Sequence, residues 1–170
     1  MKKLVTLLAV VILLPTCGVR SQTNERATAK LPDQATIGKA LALLGKVTSI
    51  KLIYTSSTAI YHKDGTAKAL DLLEKKLGEL KDKPLTPSPL MDLAGDVYNA
   101  ERNLGLDVAV SDPQDLQAIQ KILGNPGVER PPMLNDAEKG RRYKYGQWEF
   151  RAVDGSVKSV LLYCSTPRKK

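Results

Sequence analysis

The feature that most constrains this chain is an apolar run, Leu4 to Leu14, broken only by Thr6. Lys2 and Lys3 give it a positive start, and Pro15-Thr16-Cys17-Gly18 closes it. Its 11 residues are too few for a hydrocarbon core of ~30 Å, which takes ~20 residues to cross. The run therefore reads as an export signal with its charged, apolar and cleavage regions. Residues 1–21 are expected to be a signal peptide, which leaves about 150 residues for one domain with a sizeable core. The same feature decides the cysteine chemistry. Cys17 belongs to the signal and Cys164 stands alone, so no internal disulfide is expected even in an oxidising compartment. The domain must stand on its core.

Two processing readings stay open. Leu14-Pro15-Thr16-Cys17-Gly18 resembles a bacterial lipobox, in which a Leu three residues before a Cys precedes lipidation of that Cys. The resemblance implies an exported bacterial lipoprotein with lipidation at Cys17 and a membrane anchor in the cell envelope. The alternative is cleavage after Ser21, which leaves Gln22 as the N-terminus of a periplasmic or secreted protein. Residues 22–31 are polar and aperiodic, and are expected to form a flexible tether. Residues 32–170 are expected to be a single α+β domain.

Charge is unevenly placed. The whole chain carries 26 basic and 18 acidic residues, but Lys139 to Lys170 alone holds nine basic residues against two acidic ones. A basic C-terminal segment suits an anionic polymer or a lipid surface, and equally a solvated strand face. No nucleic-acid partner is expected, because export and the lack of a binding module both speak against one.

Along the chain, Pro32-Asp33 opens a first helix through Ile37, Ala40, Leu41 and Leu44, ended at Gly45. Val47 to Thr55 is β-branched and aromatic, and predicts a strand. Ala59 to His62 is a candidate return strand before a turn at Lys63-Asp64-Gly65. Thr66 is expected to cap a second helix to about Leu80, with Leu70, Leu73, Leu77 and Leu80 as its apolar stripe. Ser88-Pro89 opens a third helix through Leu90, Leu93, Ala94, Val97 and Leu104, stopping near Gly105. Leu106 to Val110 is a short strand. Asp112 then caps a fourth helix, with Pro113 at its first position, Asp115 in its first turn, and Leu116, Ile119, Ile122 and Leu123 facing the core. Gly124-Asn125-Pro126-Gly127 stops it, and Val128 to Lys139 is an aperiodic connector.

The C-terminal part gives the clearest β signal. Arg142 to Ala152 and Val157 to Ser165 are two runs joined by Val153-Asp154-Gly155-Ser156, whose Asp-Gly pair suits a tight hairpin. Alternation puts Trp148, Phe150 and Ala152 on one side, and Tyr145, Gln147, Glu149 and Arg151 on the other, if Gly146 makes no bulge. About four helices are thus expected to pack on a small sheet that ends in a C-terminal β-hairpin, an α+β arrangement.

Gly146-Gln147-Trp148-Glu149-Phe150, with Asp154-Gly155-Ser156-Val157-Lys158-Ser159 and Tyr163, resembles one unit of a MORN-type or MORN-variant repeat. In such a unit a G-x-W-x-[FY] strand turns through a Gly and ends on an aromatic residue. The resemblance spans residues 146–163 and implies a scaffold or binding role.

Catalytic signatures are missing. The single histidine, His62, forms no recognised motif with Asp64 or Cys164, and the usual zinc ligands are too few for a cluster. Asp92 and Asp96 share a helical face and read as solvated surface. There is no G-x-S-x-G, S-x-x-K or Gly-rich phosphate loop. No catalytic residue, metal or cofactor is therefore assigned. The expected binding residues are Tyr143, Lys144, Tyr145, Trp148 and Arg151, an aromatic and basic set able to meet a sugar or peptide. The expectation is a non-catalytic envelope or secreted binding or structural protein with an unidentified protein or polymer partner. Its alternatives are an envelope hydrolase or transferase with converging carboxylates, and a module that binds anionic polymer through Arg141, Arg142, Lys144 and Arg151.

Overall fold

The computed structural model describes residues 31–55, 63–131 and 140–163. Four helices and six strands follow the order α1 (Gln34–Leu43), β1 (Val47–Tyr54), α2 (Lys63–Leu80), α3 (Pro87–Ala100), β2 (Leu104–Asp115), α4 (Leu116–Leu123), β3 (Val128–Arg130), β4 (Arg141–Tyr145), β5 (Trp148–Val153) and β6 (Ser156–Leu162). The strands form one sheet in the order β1-β2-β6-β5-β4-β3, with every pair antiparallel. β3 to β6 are a continuous meander, and β1 and β2 extend it through the long excursion of α2 and α3. This is the α+β class expected from the sequence.

Local chemistry starts and stops most elements where expected. Asp33 caps α1 by accepting the Thr36 N–H at 2.8 Å, and the Gly45 N–H returns to Ala42 O past its end. Asp154 and Gly155 both have positive φ, 50° and 78°, as a type I′ hairpin turn requires. The α4 helix ends on Gly124 as predicted.

Several boundaries differ, each because a tertiary contact overrides a local signal. α2 begins at Lys63, so Lys63-Asp64-Gly65 is helical, and Thr66 does not cap it: its hydroxyl is buried without a hydrogen-bond partner. The stripe of α2 is buried at Ala69 and Leu73, while Leu70 is 52% exposed. α3 starts two residues earlier than expected, with Thr86 at its N-cap and Pro87 in its first turn. It ends at Ala100, because Leu104 already pairs with Tyr54 in the sheet. Asp112 to Asp115 stays extended. The Ser111 and Asp112 N–H groups donate to Lys46 O and Leu44 O, Gln114 and Asp115 pair with β6, and Asp115 becomes the cap of α4. The candidate strand Ala59–His62, Cys17 and Cys164 all lie outside the described residues.

The largest correction falls on the C-terminal β segment. Arg142 to Ala152 is two strands, because Gly146 (φ 66°) and Gln147 form a two-residue turn. Gly at the first central position with positive φ is what a type II′ hairpin turn uses. The chain reverses there, so Tyr145 pairs with Trp148 and lies on its side of the sheet.

All four helices share one core cluster with one face of that sheet. Ile37 and Leu41 of α1, Leu73 of α2, Leu93 and Val97 of α3 and Ile119 of α4 meet Leu106, Val108, Phe150, Val160 and Leu162. Burying each such side chain contributes roughly 1.5–3 kcal/mol. Leu161 is also buried (2% exposed) but lies outside this cluster, on the opposite face.

Candidate functional site

That opposite face of the sheet is free of helices among the described residues, and its composition follows from strand register. One row runs Lys51, Asp107, Leu161, Glu149, Lys144 and Val128 across the six strands. The next runs Ser49, Ala109, Ser159, Arg151, Arg142 and Arg130. Paired residues in an antiparallel ladder share a face, and residues two apart along a strand share it too. These two rows therefore place five basic side chains against two carboxylates on one surface.

The centre of this surface is dry. Glu149 is 0% exposed and Ser159 2%. Burying a carboxylate requires charge pairing and hydrogen bonds, and Glu149 has both. Arg142 Nη1 lies 3.0 Å from its Oε1, and Arg130 Nε lies 3.9 Å from its Oε2. The Tyr163 hydroxyl donates to Oε1 at 3.4 Å. Arg142 is fixed in turn by Nε and Nη2, each donating to Pro131 O at 3.1 Å. Burial first, and the charge of Glu149 second, push the Tyr163 hydroxyl up to about 12, so it remains a protonated donor. Asp107 Oδ1, Glu149 Oε2 and Ser159 Oγ are nonetheless buried on this face without a hydrogen-bond partner.

At the β3 edge of the sheet, Glu129, Arg130, Pro131 and Arg141 line an open recess of about 330 Å³. Arg141 Nη1 and Glu129 Oε1 form an ion pair of 2.6 Å there. That hydrogen bond, and then the Glu129 charge, hold the Arg141 guanidinium above its ordinary range.

The expected binding residues divide between the two faces. Lys144 and Arg151 lie on the helix-free face. Tyr143 pairs with Phe150 and packs against the core. Tyr145 and Trp148, expected to be exposed, are 2% and 4% exposed. The Tyr145 ring meets Phe150 edge-on at 5.8 Å and its hydroxyl donates to Gly124 O at 2.9 Å. These aromatics are core: Trp148 shares the side of Phe150, and the Gly146 turn brings Tyr143 and Tyr145 to that same side. The residues missed from sequence are Arg130, Asp107, Glu149 and Ser159. Alternation against Phe150 and Val160 could have found Glu149 and Ser159. Arg130 had no such signal, since β3 is only three residues long.

Chemically, the surface presents cations, hydroxyls and two carboxylates held apart. Asp107 and Glu149 each pair with Leu161 from opposite sides, which sets them two strand spacings, ~10 Å, apart. Asp92 and Asp96 are exposed on α3, where their charges add to those of Glu79 in raising Lys76 on α2. Among the described residues no group of three or more His, Cys, Asp or Glu could hold a metal ion, and no helix is long and apolar enough to cross a membrane. No protein-family model, no curated protein and no solved structure matches this chain.

Proposed function

We propose that this chain is an exported, non-catalytic binding protein of the cell envelope that meets its ligand on the helix-free face of the sheet. One observation carries the reading: the face away from the core is polar and cationic, yet buried at its centre, with Glu149 and Arg142 locked together and hydroxyl and carboxylate oxygens left without hydrogen bonds. A sheet face with no ligand has no need of ordered buried charge, which is costly to desolvate. The resemblance of residues 146–163 to a MORN-type hairpin supports the same scaffold or binding role, and the apolar run before Cys17 supports export.

Capture from envelope extract tests the binding face. Lys51→Glu combined with Lys144→Glu should abolish capture of a partner that the wild-type chain retains. Lys75→Glu with Lys121→Glu, on exposed helix positions, should leave it intact. The reverse pattern would move the site to the helices. Mass spectrometry of the mature N-terminus tests export: an acylated Cys17 or a free Gln22 supports it, and an intact Met1 removes it.

A further inference from the structure

The recess of about 330 Å³ at the β3 edge is lined from both sides of that strand. Arg130 belongs to the helix-free row, opposite Arg142. Glu129 stands opposite Tyr143, which packs on the core, and holds Arg141 at 2.6 Å. Pro131, whose carbonyl is taken by Arg142, completes the described lining. Three guanidiniums, those of Arg130, Arg141 and Arg142, are linked here to two carboxylates, those of Glu129 and Glu149. With each of these pairs counted, one positive charge is left over.

The two arginines of the recess are held loosely, each for a different reason. Glu149 spends Oε1 on Arg142 and Tyr163, and its nearest approach to Arg130 is 3.9 Å, from Oε2 to Nε. That is an ion pair without a hydrogen bond, and the Arg130 side chain is 42% exposed. Arg141 spends one of its N–H donors, at Nη1, on Glu129, and both side chains of that pair are open to solvent, 69% and 46% exposed. Exposed pairs of this kind contribute little, so an anion entering the recess can share Arg141 with Glu129 or displace it.

We propose that this recess binds a carboxylate group, with Arg130 and Arg141 as its two donors and Glu129 as the built-in competitor for Arg141. The site stands apart from the reading of the helix-free face, because Glu129 and Arg141 project from the other side of the edge. A planar guanidinium matches a carboxylate with two parallel N–H bonds, and its charge does not titrate. The single surplus charge suits a singly charged group. A phosphate monoester is nearly doubly charged at neutral pH, and the exposed Glu129 repels it more strongly.

NMR titration of the isotope-labelled full chain with sodium acetate, at ionic strength held constant with sodium chloride, tests this. The Nε–H signals of Arg130 and Arg141 should shift saturably. Arg130→Gln should weaken binding roughly tenfold, as loss of a charged hydrogen-bond pair predicts, and Arg130→Lys should recover part of it. Glu129→Gln should tighten binding several-fold, because it removes the internal competitor; a purely structural role for Glu129 gives no such gain. Thermal melting confirms that each variant is folded. Methyl phosphate should bind more weakly than acetate. N-acetylglycine separates two sources of the group: tighter binding than acetate marks a peptide terminus, and equal or weaker binding a free small acid. No saturable shift at the two arginines, tighter binding of methyl phosphate than of acetate, or binding unchanged by both Arg130→Gln and Glu129→Gln would overturn the proposal. Capture that depends on Lys51 and Lys144 is a separate result, so either site can fail with the other standing.

Discussion

Glu149 has no exposure to solvent, and Arg142 is the cation closest to it. Removing one partner of a buried pair strands the other, so Glu149→Ala should cost about 3–5 kcal/mol in urea unfolding. Replacing both, as Glu149→Met with Arg142→Leu, should cost less than Glu149→Ala alone, because neither charge is then left unpaired. A double variant less stable than the single would show that the pair is not coupled as described. Tyr145 gives a second residue-scale prediction. Burial lifts its hydroxyl from 10 to about 12, as it lifts that of Tyr163. The folded state therefore keeps protons that the unfolded chain has lost between these values. Their contribution is whole below pH 10 and declines as pH rises through 12. Tyr145→Phe should lose about 1 kcal/mol at neutral pH with its bond to Gly124 O, and should soften the alkaline decline seen in melts from pH 9 to 12. At this scale, sequence alternation placed Trp148, Phe150, Glu149 and Arg151 on the correct sides. It misplaced Tyr145 because periodicity cannot count across a turn that reverses the strand.

Two glycines of α2 separate what a helix prefers from what its neighbours allow. A Cβ at Gly78 would meet nothing within 4 Å, so Gly78→Ala should stabilise by about 1 kcal/mol through helix propensity and a smaller unfolded ensemble. A Cβ at Gly65 would lie 2.8 Å from both Ala100 O and Glu101 Oε2, where the end of α3 crosses the first turn of α2. Gly65→Ala should therefore destabilise by about 1–3 kcal/mol despite the better propensity. Equal signs in thermal melts would refute that close approach. The element boundaries show the same competition. Asp33, Gly124 and Asp154-Gly155 were readable because their signals act on their own segment. Asp112 and Thr66 carried equally good capping chemistry, but distant strands claimed the backbone around Asp112, and α2 already begins at Lys63, before Thr66. The existence and class of most elements were legible; the contacts that move their ends were not.

Among the described residues, a helical layer covers one face of a six-stranded sheet and leaves the other to charged rows. Neither row could be read from sequence. Each joins residues from six strands, and the order β1-β2-β6-β5-β4-β3 is set by long-range pairing between β2 and β6. The excess of basic residues after Lys139 was visible, but not that Arg142 and Arg151 align with Arg130 around a buried Glu149. Lysine footprinting tests the binding face most directly. The full chain is acetylated briefly with and without envelope extract, and modification is quantified site by site by mass spectrometry. Lys51 and Lys144 should be protected several-fold by extract, while Lys75 and Lys121 on α2 and α4 react at unchanged rates. Protection of the helix lysines with Lys51 and Lys144 unaffected would contradict the assignment of the helix-free face as the binding surface.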